Sequence, residues 1–94
     1  MTDFKVKKVI DGDTFKVEPK WKWDEKSGDT VRPTGYDTPE EDEEGYEEAK
    51  EKLKELILGE EVEVKNPQDI DHGRLVANVY YDGKDLADYF PEYQ

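Results

Sequence analysis

The chain has 94 residues, a hydrophobic fraction of 33%, a charged fraction of 43% and a formal net charge of -12. A chain of this size supports one domain that buries only about 60 to 65% of its unfolded surface, so its core is thin. The absence of cysteine excludes a disulfide framework and a thiolate metal site, leaving oxygen donors or the single His72 for any metal. No apolar run reaches the length of a membrane span, and the opening MTDFKVKKV lacks the apolar centre of a signal peptide. The expectation is a soluble, cytoplasmic, monomeric protein with no membrane partner.

In chain order, Phe4 to Ile10 and Thr14 to Glu18 alternate as strands around an Asp11-Gly12 hairpin signal, which puts Asp13 just past the turn. Trp21 to Gly28 reads as the loop of a longer hairpin whose return strand includes Thr30 to Arg32. Pro33 cannot donate to a ladder, so it is expected at an edge or bulge, with distortion of the strand that carries Arg32. From Glu43 to Leu58 the apolar residues Tyr46, Ala49, Leu53, Leu56 and Ile57 recur at helical spacing, with Gly59 as a stop. Glu61 to Lys65 and Leu75 to Tyr81 read as strands, and Asp82-Gly83 turns the chain toward a final helical turn before Pro91. Three strands, one helix and two strands, joined by short turns, suit a mainly β, α+β architecture: a five-stranded Greek-key barrel of the OB type.

Acidic residues able to hold a cation occur at Asp11 and Asp13 and again from Asp37 to Glu40. Two carboxylates with a backbone carbonyl and waters make a workable open site for a hard cation. Each motif also has a structural reading, since Asp-Gly is ordinary turn chemistry and Thr38-Pro39-Glu40-Glu41 fits a helix start with Thr as N-cap. Twelve of the fourteen basic residues are Lys, and the two Arg, Arg32 and Arg74, stand beside these acidic motifs. Guanidinium offers a planar fork for phosphate oxygens, although either Arg can equally pair with a carboxylate in so acidic a chain.

The segments Val9 to Thr14 (VIDGDT), Val31 to Glu40 (VRPTGYDTPE) and His72 to Gly83 (HGRLVANVYYDG), in that order, resemble the staphylococcal nuclease, or thermonuclease, family over about residues 5 to 88. The resemblance implies one domain over residues 1–94, with the family's C-terminal helices shortened or absent. It implies Ca²⁺ held by Asp13, Asp37 and the carbonyl of Thr38, with Glu40 managing the attacking water and Arg32 and Arg74 on the scissile phosphate. The implied activity is a calcium-dependent nuclease that cleaves DNA and RNA, single-stranded or frayed, to 3′-phosphate ends. The other reading is a catalytically idle OB-type module that binds nucleic acid or a protein.

The chain also departs from the family's pattern. Asp71 and His72 stand where relatives carry Lys and Tyr on a terminal phosphate, a replacement expected to weaken phosphate binding and alter end preference. Trp21 and Trp23 alternate with Lys20 and Lys22, a pattern for base stacking and phosphate contact, or else a packed hairpin patch. Tyr89, Phe90 and Tyr93 replace the missing aromatic helices or pack the open barrel end. The run from Asp37 to Glu48 holds eight acidic residues and no basic ones. A helix N-terminus favours negative charge by about 0.3 to 1 kcal/mol per group, yet the field of the run opposes a polyanion.

Overall fold

The computed structural model describes residues 3–94, so the first two residues of the expected 1–94 domain lie outside the described residues. Its strands are β1 (Asp3–Asp11), β2 (Thr14–Trp23), β3 (Lys26–Pro33), β4 (Glu61–Asp71) and β5 (Arg74–Tyr81), with the helix α1 (Tyr46–Ile57) between β3 and β4. Neighbours in the order β3-β2-β1-β4-β5 pair antiparallel, and a parallel pairing of β3 with β5 closes the five-stranded barrel. A two-residue strand, β6 (Lys84–Asp85), hangs on β5 and leads into short 3-10 turns at Leu86–Tyr89 and Pro91–Tyr93. This is the expected α+β barrel of OB type.

Alternation along each strand explains the core. Val6, Phe15, Val17, Val31, Val62, Val64, Leu75, Ala77 and Val79 point inward and are wholly buried. Ala49, Leu53 and Ile57, at four-residue spacing on α1, cover one end of that interior. Phe90 and Leu86, from the 3-10 turns, are also fully buried. Phe90 stacks on Tyr36 at 4.5 Å between ring centroids, with planes 6° apart, an arrangement worth about 1 kcal/mol beyond its area. The C-terminal aromatics therefore include true core residues of this barrel.

Several boundaries differ from the sequence expectation. Asp11 pairs with Thr14, so the first hairpin turns on Gly12 and Asp13, and Asp13 lies within the turn instead of past it. Gly12 is required by proximity: a Cβ there would sit 2.8 Å from Ala49 Cβ and from both branch atoms of Thr38. β2 continues through Trp23, and the turn is confined to Asp24 and Glu25, at φ of 52° and 62°. The expected Trp21 to Gly28 loop is thus mostly strand.

The helix begins three residues later than Glu43 because Gly45 takes a left-handed φ of 92° and caps it. Ahead of it, Glu43 Oε1 accepts from Glu40 N at 2.7 Å and Glu43 N donates to Glu40 O at 2.8 Å, closing a separate turn. Thr38 consequently caps no helix. β4 runs past Lys65 to Asp71, with a register shift between Lys65 and Asp69 and a left-handed Asn66. Pro33 ends β3 without disturbing it, since Arg32 stays in register with Val76 and Pro33 with Ala77.

Candidate active site

The barrel closure sets the site. Parallel pairing of β3 with β5 holds Val31 against Leu75, so Arg32 and Arg74 flank the same seam. The β1–β2 turn presents Asp11 and Asp13, and the irregular segment after β3 brings Asp37, Thr38 and Glu40 across to them. That segment is anchored at two points. The Tyr36 hydroxyl donates to Gly12 O at 2.9 Å, and Asp37 N donates to Tyr93 O at 3.0 Å. Tyr36 is buried, and burial first, with Asp13 beside it, drives its phenol well above the ordinary range, so it acts as a neutral donor.

A cavity of about 570 Å³ opens where these elements meet, lined by Asp11, Asp13, Arg32, Asp37, Thr38, Pro39, Glu40, Glu41, Glu43 and Arg74. Its volume lies within the range of small-ligand sites. Arg32 Nη2 donates to Asp13 Oδ2 at 3.3 Å and also to Asp37 Oδ1, while Nη1 donates to Pro33 O at 3.1 Å. Arg74 Nη1 donates to Thr14 Oγ1 at 3.3 Å, and the same hydroxyl reaches Asp13 Oδ1 at 3.4 Å. Arg74 Nη2 and Nε donate to Asp71 Oδ2 at 2.8 Å and Asp71 O at 3.3 Å. One hydrogen-bonded chain therefore runs from Asp71 through Arg74, Thr14, Asp13 and Arg32 to Asp37.

Asp13 is the most constrained acid of the set. Its side chain is 13% exposed, and burial first, then the neighbouring Asp11 carboxyl, push its pKa from 3.8 up to about 6 against the pull of Arg32. The carboxylate of Glu40 stands exposed at the cavity mouth with no ion-pair partner among the described residues.

The acceptors of the cavity wall suit a hard cation such as calcium. Every side-chain acceptor facing the cavity is an oxygen, as a hard cation requires, and Asp13 and Asp37 meet on one nitrogen of Arg32. Thr38 Oγ1 is buried without a hydrogen-bond partner among the described residues. No three His, Cys, Asp or Glu side chains converge on one point among the described residues. The set fits an open site of two carboxylates completed by carbonyl oxygen and water.

Of the residues singled out from sequence, Asp13, Arg32, Asp37, Thr38, Glu40 and Arg74 share the cavity wall. Asp71 joins them through Arg74, whereas His72 is 87% exposed in the β4–β5 turn and meets Asp71 at 2.9 Å from Nδ1. Trp21 is not available to a base: it is 2% exposed in the core, and its Nε1 donates to Thr30 O at 2.9 Å. Trp23 lies at the opposite end of β2 from the site, partly buried against the core. The Thr14–Arg74 link, Tyr36 and the backbone of Tyr93 complete the site without a sequence cue to their roles, because these partners are distant in sequence and are brought together only by the fold.

No curated protein matches the chain. A family model described as staphylococcal nuclease homologue matches residues 30–90, a span that carries Arg32, Asp37, Glu40, Asp71 and Arg74 and to which the fold adds Asp13. On that match, over more than half of its length, the chain belongs to the staphylococcal nuclease homologue family.

Proposed function

We propose that the chain is a calcium-dependent phosphodiesterase acting on single-stranded or frayed DNA and RNA. Membership of the family points to a nuclease or a nucleic-acid-binding module of OB type. The observation that carries the enzymatic reading is the convergence of Arg32, Arg74, Glu40, Asp13 and Asp37 on one cavity.

Asp13 and Asp37, with the carbonyl of Thr38, would hold the calcium ion. Bound there, the ion would supply positive charge that helps neutralise a phosphate oxygen. Glu40, exposed and without an ion-pair partner among the described residues, accepts a proton from the attacking water, which bonds to phosphorus while the bond to the 5′ oxygen breaks. The 5′ oxygen leaves as a hydroxyl, protonated from solvent, and the phosphate stays on the 3′ side. Arg32 and Arg74 approach from adjacent strands and offer two forks to the charge that builds on the phosphorane oxygens. Asp13, Thr14 and Asp71 hold those forks in place before substrate arrives.

A cleavage assay with product analysis tests the roles. Glu40→Ala and Arg74→Ala each cost on the order of 100-fold or more in kcat/KM, as loss of a transition-state contact does, and products carry 3′-phosphates. Products with 5′-phosphates, or full activity in both variants, contradict the reading.

One observation favours the second reading, an idle module. Both guanidinium groups are already engaged by the chain's own carboxylates, Arg32 by Asp13 and Asp37 and Arg74 by Asp71. A chain that binds single strands without cleaving them in calcium is that module.

A further inference from the structure

Asp71 lies directly across from Arg74 as the closing pair of the β4–β5 hairpin. The two turn residues between them, His72 and Gly73, both have left-handed φ, of 52° and 78°, the geometry of a tight two-residue turn. Backbone geometry therefore holds the carboxylate beside the guanidinium. With Asp71 on Nη2 and Nε and Thr14 on Nη1, every nitrogen of Arg74 has an acceptor. A phosphate that takes Arg74 can displace Asp71 Oδ2 from the nitrogen but cannot remove it from the neighbourhood.

We infer that Asp71 is a specificity-determining residue that turns the site against terminal phosphate monoesters and toward internal diester linkages. The inference rests on the reading that Arg74 receives the phosphate. A phosphate monoester carries close to two negative charges at neutral pH, its second pKa being about 6, whereas an internal diester carries one. Repulsion by a fixed carboxylate grows with that charge, and Asp71 is only half-exposed, which limits screening. Among the described residues, Arg32 and Arg74 are the only cationic side chains on the cavity wall that could offset the extra charge of a monoester. Arg74 is left able to take a diester but opposed to an end phosphate.

The probes are two fluorescent oligonucleotides of one sequence, one ending in a 5′-phosphate and one in a hydroxyl, with binding read by anisotropy in chelator. Asp71→Asn keeps one acceptor oxygen for Arg74 and removes the negative charge. The variant binds the phosphate-ended strand about tenfold more tightly than the wild-type chain does, and the hydroxyl-ended strand by about threefold at most. With Arg74→Gln also present, the difference between the strands disappears. Equal gains for both strands, no gain, or a gain that persists without Arg74 overturns the inference. Cleavage in calcium separates the two levels. Cleavage without discrimination by Asp71 removes the inference and leaves the nuclease reading, whereas discrimination without cleavage does the reverse.

Discussion

Arg74 and Asp13 form no ion pair among the described residues, yet both are hydrogen-bonded to the hydroxyl of Thr14, at 3.3 Å and 3.4 Å. Thr14 is 3% exposed and is the one buried polar residue of the barrel wall among the described residues. It couples the guanidinium on β5 to the turn acid that also holds Arg32. Thr14→Val keeps the volume and deletes the link. Its expected effect is a loss of about tenfold in kcat, from misplacement of Arg74, with a Tm change of a few degrees that circular dichroism follows. An unchanged kcat means Arg74 is positioned by Asp71 alone.

Asp13 gives the site a pH signature in the absence of metal. Its folded-state pKa of about 6 lies above the ordinary 3.8, so the folded chain binds this proton more tightly than the unfolded chain. The contribution to stability is full below pH 4, falls between pH 4 and 6, and is absent above that. In chelator at pH 8, Asp13→Asn is expected to be more stable than the wild-type chain by on the order of 1 kcal/mol, after discounting for solvent screening. Urea melts at pH 8 and pH 3.5 check the sign. The gain shrinks at the lower pH, and a variant less stable at pH 8 shows that the Arg32 bond outweighs burial.

How far the sequence exposed this arrangement depends on the range of the interaction that fixes each part. Alternation in TFKVE and LVANVYY and the stripe Ala49, Leu53, Ile57 report local burial, and the strands and helix stand where those patterns put them. Turn signals are also local, but Asp11-Gly12 misled by one residue, because Gly12 is demanded by a distant contact with Ala49 and Thr38 and not by its own φ. Thr38 reads as a helix cap in sequence, and only the fold shows that Gly45 has that role.

Trp21 could not be placed by pattern, since a Trp between two lysines reads alike on a loop and on a strand with one buried face. At the site, the acids and arginines were legible as residue types. Their linkage through Thr14 and the Asp71–Arg74 pair depended on β3–β5 closure and on a β4 that extends through an irregular Asn66-Pro67-Gln68 stretch.

Calcium binding has a readout that needs no turnover. An ion that binds only the folded pairing of Asp13 and Asp37 stabilises it by about 2.7 kcal/mol at one hundred times its Kd, a rise of roughly 10 to 20 °C in Tm for a domain of this size. Differential scanning fluorimetry in millimolar calcium is compared with sodium chloride of equal ionic strength, because screening alone relieves repulsion in a chain of net charge -12. Asp37→Asn is expected to abolish most of the calcium-specific rise. Equal effects of calcium and salt on the wild-type chain show that these acids form no metal site.

The central claim, that the shared cavity hydrolyses phosphodiesters with calcium, is tested most directly by incubating the purified chain with end-labelled single-stranded DNA and RNA and resolving the fragments. The account predicts strand cleavage in calcium, none in chelator, and a loss of about 100-fold or more in the Glu40→Ala chain prepared in parallel. An intact strand in calcium, or cleavage that survives both chelator and Glu40→Ala, contradicts it.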